Sequence, residues 1–276
     1  MSTVGEIVAI LDRMYPPRLA EEWDAPGLSV GDPAATVSHV HFAVDPVRAV
    51  IDEAVAAGAQ MLVTHHPLLL RGVTSVAADT GKGSAVHRLI TGGCALYSAH
   101  TNADSAANGV ADALAAAIGV TGLRPLVEDA EDPSLGTGRV GVLASPLPLR
   151  EFAERVAAAL PPTAHGVRVA GDLDLTVSTV AVLGGSGDSF FDDVRRADVD
   201  AYVTADLRHH PASEARELAE LAGGRPALVD VSHYASESLW LEAAAASVGR
   251  EAGVTTSVST LNTDPWTGRF GVAPAT

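Results

Sequence analysis

Cysteine is nearly absent: Cys94 is the one thiol in 276 residues. A single thiol makes no internal disulfide, which fits a reducing compartment. Its place between Gly93 and an apolar run reads as a small buried residue rather than a reactive one. Rings are scarce as well, 4% of residues, so Ala and Val do most of the core filling. Positive charge is short. Eighteen Lys and Arg against 34 Asp and Glu leave a net of −16, and Lys82 is the only lysine. Such an acidic surface repels phosphate backbones and anionic bilayers, which disfavours nucleic acid as the main partner. No apolar run reaches the roughly 18 residues of a membrane span. The first residues lack a basic segment, and Glu6, Asp12 and Arg13 interrupt their apolar pattern. No signal peptide is read there, and the expected compartment is the cytoplasm.

What is present is an ordinary globular mixture, 47% apolar and 19% charged, long enough for one large domain or two small ones. Thr3 and Glu6 form a capping box for a helix with Val4, Ile7, Val8, Leu11 and Met14 on one face, stopped by Pro16 and Pro17. Val40, Phe42 and Val44 alternate as a strand, and Asp45 is read as the cap of a helix with Pro46 at its first position. A buried strand at 60–64 runs into His65-His66-Pro67. A helix at 84–91, a strand at 94–98, His100 to Asp104 and an Ala-rich helix to about Ile118 follow. The acidic stretch from Glu128 to Gly138 reads as a linker or long loop. Beyond it come a strand at 139–143, a helix at 149–159 and strands at 167–170 and 177–183. Gly184 to Gly187 reads as a tight turn, with a backbone nest for phosphate as the other option. A helix at 189–197, strand 201–204, helix 212–222, strand 226–231, a helix from His233 to about 247 and a last strand at 256–260 complete the chain.

Alternating strands and helices predict an α/β protein of layered sheets flanked by helices. The expected first domain spans 1–127, with 230–276 returning to it, and the second spans 128–229. Two stretches echo each other: "MLVTHHP" then "ALYSAHTNAD", and "AYVTADLRHHP" then "ALVDVSHYASE". Either the chain carries a duplication or two βα units simply look alike.

The chemistry concentrates at strand ends. Adjacent residues of a strand point to opposite faces, so His65 and His66 serve one place only where the backbone turns, as Pro67 favours. His100 and Asp104 are four apart, and so are His233 and Glu237, which puts each pair on one helix face. Either pair alone is equally a surface ion pair. Together His65, His66, His100, Asp104, His233 and Glu237 offer imidazole and carboxylate donors outside strand carboxyl ends, a set suited to two divalent ions. Without thiolate the set admits Zn, Mn, Fe, Co or Ni. Thr64 and Asn102 are placed to orient ligands, and Trp23 reads as a packed indole. Asp79 to Ser84 lacks Walker spacing and reads as a flexible loop, with Lys82 able to touch an anion. Arg208, His209 and His210 are open to two readings, phosphate ligands or a solvated turn.

Trp23-Asp24-x-x-Gly27-Leu28, Thr64-His65-His66-Pro67-Leu68, His100-Thr101-Asn102-Ala103-Asp104 and His233-Tyr234-Ala235-Ser236-Glu237 occur in that order. In combination they resemble the Nif-three-like family, the GTP cyclohydrolase I type 2 homologues or YbgI-type dinuclear metal centre proteins. The resemblance runs from Leu19 to Glu237. It implies two interlocked α/β domains with a metal cleft between them. It implies His65, His66, Asp104, His233 and Glu237 as ligands, Glu237 bridging, and His100 as a near-site residue, either a support behind the ligands or a proton shuttle and then the catalytic residue. It further implies a ring-shaped homohexamer and a metal-dependent hydrolase acting on a nucleotide or related small molecule. A non-enzymatic metal-handling or scaffold protein is the alternative. Two departures stand out: Ala25 where the family usually has Asn, and Thr204-Ala205-Asp206 where it often has Thr-Gly-Glu. Neither is expected to touch a ligand.

Overall fold

His39–Ala43, Met61–Thr64 and Ala95–Ser98 are short, and nearly every residue in them is buried. Strands of that kind need helices on both faces, and they receive them. In the computed structural model, which describes residues 2–271, they form the parallel centre of a five-stranded sheet. The edge strands are Thr255–Val258, parallel to His39–Ala43, and Gly27–Val30, antiparallel to Ala95–Ser98. Helices Arg48–Ala56 and Gly81–Thr91 cover the face carrying Ala43, Leu62 and Leu96, where Val50, Ile51, Ala54, Val86 and Leu89 complete a core. Tyr97 points to the other face, where its hydroxyl meets Asp12 of helix Val4–Met14 at 2.7 Å. The capping box on that helix forms as read: Thr3 Oγ1 accepts from the Glu6 N–H and the Glu6 carboxylate from the Thr3 N–H.

Register decides what this sheet presents. Ala43 pairs with Thr64, and Thr64 with Ser98, so three carboxyl ends lie level. The next residues, Val44-Asp45, His65-His66 and Ala99-His100, therefore leave the sheet along one edge. These strands lie in a unit made of residues 1–113, 127–138 and 237–263.

The other unit comprises residues 114–126, 139–236 and 264–276. Its sheet has six strands: Val120–Glu128, Gly136–Pro148, Thr176–Ser186, Ala201–Ala205, Ala227–Val231 and Arg168–Ala170, in spatial order. Thr176–Ser186, Ala201–Ala205 and Ala227–Val231 run parallel, and Arg168–Ala170 closes the edge antiparallel. Each unit thus has three parallel strands in chain order followed by an antiparallel edge strand. That is the arrangement behind the echo between "VTHHP…ALYSAH" and "VTADLRHHP…ALVDVSH".

Several local readings need correction. Of the stretch from Glu128 to Gly138, read as a linker or long loop, only 129–135 is a loop: it joins the neighbouring strands Val120–Glu128 and Gly136–Pro148, with Asp129 N–H bonded to Leu135 O. Gly136 at φ +138° admits no side chain, since a Cβ there would lie 2.0 Å from Val127 O. Gly184 to Ser186 continue a strand whose register shifts before Ser186, a bulge rather than a turn. The Ala-rich helix is Val110–Ala117, preceded by a separate short helix Thr101–Ser105, while the last long helix is split, into His233–Ser238 and Leu241–Ala252. Asp79 to Ser84 is largely structured, because Thr80 caps helix Gly81–Thr91. Lys82 hydrogen-bonds the Leu68 carbonyl. Arg208 pairs with Asp188, and His209 and His210 open an exposed helix. Cys94 is buried, and burial pushes its thiol up to about 12. No described helix is long and apolar enough to cross a membrane.

Candidate metal centre

His65 and His66 follow the strand Met61–Thr64 and are held by backbone bonds back to the neighbouring strand's exit, His65 N–H to Ala43 O and His66 N–H to Val44 O. Thr64 Oγ1 then donates to the His66 carbonyl at 2.8 Å, fixing the bend. The two rings consequently share a side, with centroids 5.0 Å apart. His100 joins them at 5.3 Å from His65 and 5.4 Å from His66. A nitrogen from each of the three lies within 4.8 Å of the others. Asn102 holds the His100 exit, its Oδ1 accepting the His100 N–H at 2.9 Å while its amide donates to Tyr15 O.

The carboxylates approach the same nitrogens. His65 Nε2 stands 3.4 Å from Glu237 Oε1 and 3.7 Å from Asp104 Oδ1, and His66 Nε2 stands 3.4 Å from Glu237 Oε2. These gaps are long for charge-assisted hydrogen bonds, which close to about 2.7–2.9 Å. They are of the size left between two ligands of one ion that each bond at about 2.0–2.2 Å.

The far side of every ring tells the same story. His65 Nδ1 donates to the Ala99 carbonyl at 2.9 Å, and His66 Nδ1 to Asp45 Oδ1 at 2.7 Å. His100 Nδ1 donates to Asp24 Oδ1 and His233 Nδ1 to Asp206 Oδ2, both at 2.7 Å. A carbonyl or ionised carboxylate can only accept, so each Nδ1 carries a proton and Nε2 is the nitrogen turned toward a ligand or a second proton. Outer-shell acceptors of this type are how proteins orient metal-binding imidazoles. Meanwhile Nε2 of His65 and Oδ1 of Asp104 are buried and make no hydrogen bond. A buried polar atom left so costs on the order of 1–3 kcal/mol, and a divalent cation between them removes that cost. The donor set and its unsatisfied atoms fit a metal.

The neighbouring carboxylates favour protonated imidazoles. Burial drives the His65 pKa down, but Glu237 and Asp104 outweigh it and hold it above the usual range. The same opposition, burial against Glu237 and Asp45, leaves His66 at about 10. Burial raises Asp104 in spite of His65.

Sequence reasoning missed the supporting residues. Asp45 caps no helix: Arg48–Ala56 starts after Val47 with no side-chain cap, and the Asp45 carboxylate instead takes His66 Nδ1–H and the Thr263 hydroxyl. Asp206, one of the departures from the family pattern, does touch a predicted ligand, since it holds His233. It adopts φ +55°, a conformation Asp and Asn tolerate better than most. His233 opens the short helix His233–Ser238 one turn ahead of Glu237. Trp240, fully buried, walls His65 with centroids 5.8 Å apart. Trp23 is not packed in the core but 60% exposed, against the His100 ring.

Asp24 is the most constrained of these acids. Burial works to raise its pKa, yet hydrogen bonds from His100, Thr101 and the Ala25 N–H pull it down to about 2. Its folded pKa lies below the unfolded value, so its contribution is complete above about pH 4 and lost as pH falls through about 2. Asp24→Asn is expected to cost on the order of 1–2 kcal/mol at pH 7 after allowance for partial solvent screening. Urea midpoints of wild type and variant should converge as pH is lowered toward 2; a constant gap would show that the charge of Asp24 is not what matters.

An α/β chain with imidazoles and carboxylates gathered at level strand ends, rings oriented from behind, carries a group of side chains that could hold a metal ion. The model of the Duf34/NIF3 (NGG1p interacting factor 3) family matches residues 2–265, and this chain belongs to that family. It is 52% identical over 281 residues to the GTP cyclohydrolase 1 type 2 homolog of Streptomyces coelicolor, covering 99% of this chain and 97% of that one. It is 38% identical to the protein of the same name from Mycobacterium tuberculosis, covering 95% of this chain and 96% of that one. Among solved structures, the Bacillus cereus protein related to NIF3 superposes with a TM-score of 0.88 at 25% identity, covering 96% of this chain and 98% of that one.

Proposed function

We propose that this protein is a metal-dependent hydrolase acting on a nucleotide or a related small molecule, with two divalent ions per chain. The observation that carries the reading is the set of four imidazoles whose Nδ1 protons are all taken by acceptors, with buried His65 Nε2 and Asp104 Oδ1 unsatisfied. By the family resemblance His65, His66, Asp104, His233 and Glu237 would hold the ions. Bound divalent ions supply Lewis-acid polarisation of a substrate oxygen and lower the pKa of water they ligate.

The chain's own residues supply the rest. His100, fixed through Nδ1 by Asp24, presents Nε2 as the base that accepts the proton of the attacking water and returns it to the leaving group. Asp24 stays ionised while it does so, and steadies the imidazolium that forms. Asp45 and Asp206 hold the ligand rings in one tautomer. The name of the relatives suggests a purine ring opened by water, and hydrolysis is the part of that name that the residues support. His100→Ala is expected to lower turnover of a nucleotide and phosphoester panel by about 10²–10⁴-fold with metal content intact. Metal passed readily to an apo-acceptor, with no turnover of any panel member, would replace this reading with metal handling.

A further inference from the structure

Trp23 has no packing role that explains its position. Its ring is exposed, yet its backbone is tied down on both sides. Glu21 N–H donates to Thr101 Oγ1 at 3.0 Å, and Asp24 N–H to the Glu21 carbonyl at 2.9 Å. The Asp24 carboxylate takes the Nδ1–H of His100 at 2.7 Å and the backbone N–H of Thr101 at 3.1 Å. A single exposed apolar side chain needs no explanation. One fixed in this way beside an imidazole cluster does. The indole meets His100 at 5.9 Å between centroids, 80° between planes. The chain has three tryptophans, and this one faces solvent next to the proposed proton carrier.

We propose that Trp23 is a stacking platform for a planar heteroaromatic ring, so that the substrate is a base-bearing compound rather than a simple sugar phosphate. This rests on the reading of the site as one that acts on a small molecule. An indole offers the largest π face of any side chain, and it accepts any flat heterocycle at van der Waals distance. A ring laid on it lies beside His100, the group that must reach the reacting bond. Charge argues the same way. With a net of −16 the protein gains little long-range attraction for a phosphorylated ligand, so a neutral stacking contact is an effective source of affinity. The loop bonds hold the backbone that carries the indole before the ligand arrives, which reduces the ordering cost of binding.

The test is calorimetric binding to the intact protein, as purified and after chelation. The probes are guanosine 5′-monophosphate, ribose 5-phosphate and tetramethylammonium, against wild type, Trp23→Ala and Trp23→Phe. The nucleotide should bind Trp23→Ala about tenfold or more weakly than wild type and recover most of its affinity in Trp23→Phe. Ribose 5-phosphate should be indifferent to either change. Equal nucleotide affinity in wild type and Trp23→Ala overturns the proposal, as does an equal loss for ribose 5-phosphate. Failure of the nucleotide to bind wild type overturns it too. Binding of the ammonium in preference to the nucleotide would make Trp23 a cation site instead, and a change confined to particle size on gel filtration would make it a contact between copies. Trp23-dependent binding without turnover leaves this proposal standing while the hydrolase reading falls; turnover with Trp23-independent binding does the reverse.

Discussion

Glu237→Gln is expected to strip the protein of at least half of its metal. Glu237 is 2% exposed, with its two oxygens each 3.4 Å from a different imidazole Nε2. Amide replacement removes the negative charge that would offset the two proposed cations and puts an N–H₂ group opposite one of those imidazoles. Neither ligand ring can retreat, because Ala99 and Asp45 hold them from behind. Elemental analysis of protein purified without added metal should fall from about two ions per chain to one or none. An unchanged content would remove Glu237 from the ligand set. The loss should not resemble unfolding: far-UV circular dichroism stays as in wild type, since the substitution preserves shape and His65 and His66 are anchored independently of Glu237.

Metal uptake has a sign that follows from the same residues. His66 sits at about 10 and His65 above its usual range because nearby carboxylates favour their protonated forms. A divalent ion must displace those protons, so uptake releases acid and affinity falls as pH is lowered.

The candidate ligands were legible before the fold because the patterns that single them out are local. His-His at a strand end and His-x-x-x-carboxylate at a helix start are patterns of adjacent or one-turn residues, which need only secondary structure to be interpreted. What holds the ligands was not. Asp45 before Pro46 looks like a helix cap, and only the level register of Ala43 and Thr64 brings its carboxylate to His66, 21 positions along the chain. Asp24 reaches His100 from 76 positions away. The edge strand Val120–Glu128 was hidden because Gly122 and Pro125 break its alternation, which a strand at a sheet's rim can tolerate. Apolar content pointed to a buried indole at Trp23, but hydrophobicity does not say which tryptophan is spent on the core. Trp240 is the one that is.

Trp240→Ala is accordingly expected to be the most destabilising single change near the centre. Trp240 is fully buried, packs edge-on against Tyr15 at 5.4 Å and against His65 at 5.8 Å, and donates its indole N–H to the Tyr15 hydroxyl at 3.0 Å. Truncation leaves a ring-sized cavity and a buried phenol without its donor, for a loss of about 3–5 kcal/mol. The Tyr15 carbonyl in turn accepts from Asn102, whose other end holds the His100 N–H, so the disturbance reaches His100 as well as His65. Urea denaturation should show the loss, and metal content should drop with it. Trp240→Phe separates the two contributions. It keeps most of the wall behind His65 but forfeits the bond to Tyr15, so it should cost about 1–3 kcal/mol from the orphaned hydroxyl and lost volume while retaining metal. If Trp240→Phe lost metal as completely as Trp240→Ala, the N–H bond and not the packed ring would be what positions His65.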